Sequence, residues 1–403
     1  MTSEPENPLL DGLPLLGDLP DLTGASVLVR VDFNVPLRSC EDGSLTVADD
    51  FRIKAALPTL QYLIDRGAEV TAATHLGRPK GAPVAQWELA PVREALAGLL
   101  PEVELLENLR FDPGEKANDP AFVDKLVFGH DAYVNDAFGV SHRSHASVVG
   151  PPARLPSAAG LRLQREVEVL GGLLGSPARP FVAVVGGAKV GDKLGVLEAL
   201  LDRVDLLIVG GGMSYTFLTA AGHNVADSLV DIDRVSDCAA LLASGKPILL
   251  PTDIVALEPG AEFGAGCTDG AVRTVGVDIP SGWQGLDMGP ATVASFAGEI
   301  AKAATVLWNG PMGVFEDARF NAGTQGVARA MAECEGFTIV GGGDSAAALE
   351  ESGMADKISF ISTGGGASLE LLEHGDLPGL AALRGAVNAP KASRTRAQGT
   401  QEK

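Results

Sequence analysis

Short runs of consecutive apolar, mostly β-branched residues recur along the chain, each followed by a turn and then a helix-forming stretch. In the second half these runs are Phe181–Val185, Leu206–Val209, Thr305–Trp308, Phe337–Val340 and Ile358–Ser362. Their turns are rich in glycine: Gly186-Gly187, Gly210–Gly212, Asn309-Gly310-Pro311, Gly341–Gly343 and Gly364–Gly366. Runs without polar alternation, separated by helical stretches, predict a parallel sheet covered on both faces. The five turns then fall at the C-terminal ends of the strands, along the edge where open α/β sheets bind ligands.

The first half repeats this grammar with different turn residues. Ser26–Arg30 leads into Val31–Pro36, Glu69–Ala73 into Thr74–Pro79, Glu102–Leu106 into Glu107–Arg110, and Asp131–Val134 into Asn135–Arg143. These turns carry Arg, His, Asp and Asn in place of glycine. Leu161–Gly175 has helical apolar spacing, ends in glycine, and lies between the Gly150-Pro151-Pro152 loop and Pro177 and Pro180. We therefore expect an α/β protein with two Rossmann-like domains, each a parallel sheet flanked by helices, facing each other across a cleft. The expected boundaries are 1–160, an interdomain helix and hinge over 161–180, and a second domain over 181–375.

Composition removes several functional classes. The 403 residues include 31 Lys+Arg against 52 Asp+Glu, a formal charge of −21. An acidic chain with no basic stripe lacks the phosphate-neutralising surface that nucleic-acid binding requires. No 18-residue uncharged apolar run is present, so we expect no membrane span. Cys40, Cys238, Cys267 and Cys334 are widely spaced without a Cys-x-x-Cys pair, which argues against a zinc site or a disulfide framework. Residues 1–8 carry Glu4 and Glu6 and no basic-then-apolar leader. We expect a cytoplasmic monomer with reduced thiols.

Three groups of residues are candidates for chemistry. Gly186-Gly-Ala-Lys-Val-Gly-Asp-Lys193 is a glycine-rich turn entering a helix, and helical spacing would put Lys189 and Lys193 on one face, toward successive phosphates. It equally reads as a close-packing turn with two solvated lysines; it is not a Walker A loop, because Asp192 follows Gly191. In Gly341-Gly-Gly-Asp-Ser345, Asp344 reads either as a helix cap or as a carboxylate for a phosphate-bound Mg²⁺. Glu316 reads as an acceptor for ribose hydroxyls or as a solvated residue beside Asp317. In the first half, Asp32 and Asn34 are two apart and face one side of an extended turn. Arg52, Arg78, Arg110 and Arg143 accompany them, with His75 and His142. A single arginine reads as a surface ion pair; four along one sheet edge of an acidic protein point to carboxylate and phosphate recognition. His130, His145, His223 and His374 read as structural.

Eight motifs, in order, resemble the phosphoglycerate kinase family: Arg30–Pro36, His75–Pro79, Leu106–Arg110, Asp136–Gly139 with His142-Arg143, Gly186–Lys189, Trp308–Pro311, Gly341–Asp344 and Ser362–Gly366. The resemblance covers about residues 18 to 383. It implies reversible, Mg²⁺-dependent phosphoryl transfer between 1,3-bisphosphoglycerate and ADP, giving 3-phosphoglycerate and ATP. By the same resemblance Asp32, Asn34, Arg52, His75, Leu76, Gly77, Arg78, Arg110 and Arg143 form the phosphoglycerate site. Gly186, Gly187, Lys193, Asn309, Glu316, Gly342, Gly343, Asp344 and Ser345 contact the nucleotide, and Asp344 is the Mg²⁺ carboxylate. Arg52 and Lys189 hold the migrating phosphoryl group. The first domain thus takes 3-phosphoglycerate and the second the nucleotide, with 376–388 returning to the first domain and 389–403 a disordered basic tail. Substrates held apart in this way imply a protein that closes to react.

Two other readings compete. A dinucleotide-dependent oxidoreductase would also use glycine-rich turns after strands, but no Gly-x-Gly-x-x-Gly opens a helix with an acidic residue about 20 positions later. A non-catalytic binding protein on the same fold would not be expected to retain Arg52, Lys189, Lys193 and Asp344 together.

Overall fold

The computed structural model describes residue 7 and residues 9–386. They divide into two compact units, one of residues 9–168 and 376–386, the other of residue 7 and residues 169–375. Helix Leu161–Leu174 starts in the first unit and continues into the second. The tail expected over 389–403, with 387 and 388, lies outside the described residues.

The first unit is built on a five-stranded parallel sheet, in the spatial order Glu104–Leu105, Glu69–Ala73, Ser26–Arg30, Ala132–Asn135, Ser157–Ala159. Val27, Leu28 and Val29 of the central strand are fully buried, as an unbroken apolar run covered on both faces requires. Helix Phe51–Ile64 buries Ile53, Ala56, Leu60 and Leu63, a spacing of three and four that lays one stripe on the sheet. Residues 376–386 belong here: Gly379 N–H donates to Ser141 O at 2.8 Å, and the Arg384 guanidinium donates to Leu9 O at 2.7 Å.

The second unit carries a six-stranded parallel sheet ordered Ile248–Leu249, Leu206–Val209, Phe181–Val185, Thr305–Asn309, Phe337–Gly341, Phe360–Ile361. Two expected strands are shorter than their apolar runs. Glu102–Leu106 supplies only Glu104–Leu105, and Ile358–Ser362 only Phe360–Ile361. Both lie at sheet edges with a single neighbour, so fewer backbone groups find partners.

Antiparallel pairing was not expected anywhere. Asp253–Leu257 nevertheless pairs antiparallel with both Val272–Gly276 and Gln284–Met288, and Leu37–Ser39 forms a hairpin with Leu45–Val47. Val272–Gly276 is mostly exposed, so it lacks the apolar run that marks a central strand. All four cysteines are free thiols. No helix among the described residues is long and apolar enough to cross a membrane.

Candidate active site

In the first unit the parallel sheet brings four polar loops to one edge. Arg30 ends its strand opposite Ala73 on one side and Asn135 on the other, so loops 31–36, 74–79 and 136–143 leave together. Asn108 fastens the fourth loop to the second. Its Oδ1 accepts the N–H groups of Leu76 (3.3 Å) and Arg110 (3.1 Å), and its Nδ2 donates to the carbonyls of Leu76 and Trp87, both at 2.8 Å.

The expected phosphoglycerate residues lie on or beside these loops. Asp32 and Arg52 form an ion pair at 2.5 Å, and the Asn34 amide oxygen accepts the Gly77 N–H at 2.9 Å. Arg110 donates to Gly77 O at 2.8 Å, while its buried Nε has no hydrogen-bond partner. A buried donor without a partner is costly, and a bound anion would satisfy it. Arg78 and Arg143 are exposed. The Leu76 side chain is 1% exposed within the apolar core, and its backbone N–H and carbonyl are both held by Asn108. Gly77 has φ +62°, and a Cβ there would collide with the Trp87 ring, so the loop requires glycine on both counts.

The field at this edge is strongly positive. Burial and then Arg30, Arg110, Arg52 and His145 drive the His75 pKa well below the ordinary histidine value. Burial and then Arg143 lower His142 to about 4; burial and then Arg110 and Arg30 lower His145 to about 4. Burial, then Arg30, also lowers the Arg110 guanidinium. The arginines are therefore close enough to act on the same groups, and the histidines respond by remaining neutral. Such an arrangement is built for a ligand with more than one negative charge.

In the second unit, Gly186 N–H donates to Asn309 O at 2.9 Å and Gly187 N–H to Pro311 O at 3.0 Å, joining two of the glycine turns. The helical-face reading of the two lysines is corrected here. Helix Leu194–Leu201 starts after both of them, with Lys193 at the cap position. The residues between them, Gly191 included, are turn and bend instead of helix, so helical spacing does not apply. Lys189 is exposed. Lys193 turns inward, donating to Gly186 O and Asn309 Oδ1, each at 2.7 Å, and to Asn309 O at 3.3 Å. Burial lowers its pKa to about 8, against the opposing influence of Asp344 and Asp192.

Helix Gly343–Glu351 begins after strand Phe337–Gly341, and its cap is Gly342, at φ +101°. Asp344 lies exposed in the first turn and does not cap the helix. The backbone N–H groups of Gly343, Asp344 and Ser345 have no intrahelical acceptor at this end, which suits an anion. The Ser345 hydroxyl is fully buried and accepts Gly310 N–H at 2.7 Å, so it holds the neighbouring turn instead of facing outward. Glu316 is exposed; its neighbour Asp317 is buried, paired with Arg319 at 2.7 Å, and held at about 2 chiefly by that hydrogen bond.

Asn108 and Arg30 were missed as site-forming residues. Both occur within the quoted motifs, but nothing in their spacing distinguishes a residue that holds a loop from one that meets a ligand.

The phosphoglycerate kinase family model matches residues 16–105 and 101–375. A phosphoglycerate kinase of Roseiflexus castenholzii is 49% identical over 397 residues, covering 91% of this chain and 98% of its own length. One from Rubrobacter xylanophilus is 50% identical over 388 residues, covering 90% and 96%. Among solved structures, phosphoglycerate kinase from Coxiella burnetii superposes with TM-score 0.81 at 36% identity, over 94% of this chain and 100% of that one.

Proposed function

The chain belongs to the phosphoglycerate kinase family, and from that premise we propose how its residues divide the reaction. The reaction is reversible phosphoryl transfer between 1,3-bisphosphoglycerate and ADP, yielding 3-phosphoglycerate and ATP. The acyl phosphate supplies the driving force, so the protein needs no nucleophile of its own.

Phosphoglycerate binds at the arginine-lined edge of the first unit. Arg110, Arg143 and Arg78 meet its anionic groups, Asp32 and Asn34 orient its hydroxyl, and His75 completes the pocket. The observation that carries this assignment is the unpartnered, buried Arg110 Nε; the three neighbouring histidines, lowered first by burial and then by the arginines, accord with it. The nucleotide binds at the glycine turns of the second unit. The first-turn N–H groups of helix Gly343–Glu351 take a phosphate, Glu316 the ribose, and Lys193 with Asn309 the neighbouring turn.

Arg52 and Lys189 face the migrating phosphoryl group, whose charge is spread over its equatorial oxygens and is stabilised by positioned cations. Asp344 is an exposed carboxylate beside phosphate-binding N–H groups, and Mg²⁺ is commonly held by one or two carboxylates together with substrate phosphates. The donor set therefore fits that ion, which when bound would neutralise phosphate charge. The other readings, an oxidoreductase and a non-catalytic protein, are not favoured.

Transfer requires the reacting atoms within about 3–3.5 Å, so binding of both substrates should reduce the radius of gyration in solution scattering. We further propose that the protein works as a monomer in the cytoplasm. A coupled assay for ATP formation from ADP and 1,3-bisphosphoglycerate, with and without Mg²⁺, tests the whole reading. Absence of turnover by the folded protein with Mg²⁺ would refute it.

A further inference from the structure

Arg30 differs from the other arginines of the first unit. It is 1% exposed, and each of its nitrogens donates within the protein. Nε donates to Ser147 Oγ at 2.8 Å; Nη1 donates to Val31 O and, at 3.4 Å, to Ala73 O; Nη2 lies 3.2 Å from His75 Nδ1. Ser147 Oγ in turn donates a hydrogen bond to the fully buried Glu115, at 2.7 Å from Oε1, while Ser147 N–H donates to Oε2 at 2.9 Å. A chain of hydrogen bonds therefore runs from Glu115 through Ser147 and Arg30 to the imidazole. The directions along it follow from chemistry. A guanidinium has donors only, so His75 Nδ1 must accept, and the ring proton must sit on Nε2. Nε2 has no partner among the described residues, and it is not among the buried atoms left without one.

We infer that Arg30 is a positioning residue that fixes His75 as the Nε2–H tautomer, so that the ring donates one hydrogen bond to an anionic oxygen of bound phosphoglycerate. This rests on the phosphoglycerate site proposed above. The fixed tautomer answers a specific problem. A neutral imidazole in the other tautomer would turn a lone pair toward the anion and repel it. Burial, and then the surrounding arginines, oppose the imidazolium, which would donate from both nitrogens, and the Arg30 contact removes the wrong neutral form. Glu115, reached through Ser147, supplies the opposite charge that a buried guanidinium needs.

The test uses full-length protein labelled with ¹⁵N in histidine. Long-range ¹H–¹⁵N correlations report which ring nitrogen is protonated, and His75 is assigned by its loss in His75→Gln. At neutral pH the wild type should show a single His75 tautomer, with Nδ1 bare and Nε2 protonated. In Arg30→Lys a single ammonium cannot reach both Ser147 and His75. The tautomers should then mix, and KM for 3-phosphoglycerate should rise on the order of tenfold with KM for ATP unchanged. A protonated Nδ1 in the wild type would overturn the inference. So would either the tautomer or KM changing without the other, or neither changing, in Arg30→Lys. If Arg30→Lys does not fold, Ser147→Ala, which frees Arg30 Nε without altering charge, is read against the same expectations. The expected tautomer, with no His75 signal moved by saturating 3-phosphoglycerate, would refute the phosphoglycerate site and leave the Arg30 contact standing.

Discussion

Arg52 and Asp32 pair at 2.5 Å, with Asp32 nearly buried and Arg52 about a third exposed. Arg52 is the second residue of helix Phe51–Ile64, where the helix dipole disfavours a cation, and Asp32 offsets that cost. The pair holds an arginine ready at the sheet edge, in a position that its own helix would not choose.

Arg52→Ala should therefore lower kcat by up to about 10³-fold, by analogy with arginines that stabilise phosphoryl transfer, with a much smaller effect on nucleotide affinity. Steady-state kinetics in both directions measure this. A near-normal kcat would remove Arg52 from the transition state.

The two lysines should separate by stability as well as by kinetics. Lys193 is the donor to three acceptors on two turns, so Lys193→Ala should cost about 1–3 kcal/mol of stability and raise KM for ATP. Lys189 is exposed, so Lys189→Ala should leave the melting temperature unchanged while lowering kcat. Thermal melts beside kinetics on the same samples test the pair, and equal melting losses would contradict it.

Gly77→Ala meets both a positive φ and the Trp87 ring. Displacement of the 74–79 loop should raise KM for 3-phosphoglycerate and cost roughly 1–3 kcal/mol. KM for ATP should stay unchanged, as ligand titrations of the variant would show.

Asp136 and Asp287 carry the clearest dependence of stability on pH. Burial raises each carboxyl to about 7 from an ordinary 3.8. Between these values the folded state keeps a proton that the unfolded state has released, so stability falls as pH rises from about 4 to about 7 and levels off above. Asp136 Oδ1 accepts the N–H groups of Arg162 and Leu163, at the start of helix Leu161–Leu174. Asp136→Asn keeps an acceptor there while removing the titration. Its melting temperature should vary less across that range than the wild type's, and an unchanged slope would count against the assignment.

Asp344→Asn should raise the Mg²⁺ concentration needed for half-maximal activity and weaken the effect of Mg²⁺ on ATP binding. Binding measured without Mg²⁺ should change little. Calorimetric titration of ATP with and without the ion distinguishes this from a general loss of the site.

Much of this protein was legible from local pattern. Runs such as Val27–Val29 and Phe181–Val185 are buried on both faces, so their apolar content marks strands of a parallel sheet without reference to anything distant. The parallel arrangement then sends the turns that follow the strands to one edge, which is why the sequence alone groups the arginine-bearing loops. Other features required the tertiary structure, because they depend on partners far apart in sequence. Arg30 looks like any strand-end arginine until Ser147 and His75 surround it. Lys193 looks like a solvated lysine four residues from Lys189 until the Asn309 carbonyl and amide oxygens, 116 residues away, draw it inward. Strand Val272–Gly276 is exposed and carries no apolar signature, and only pairing with Asp253–Leu257 makes it a strand. Side-chain type and spacing determined which edge would be charged, since the sheet period is a local property. Which of those charges is spent inside the protein and which is left for a ligand was decided by long-range hydrogen bonds, whose partners no local pattern encodes.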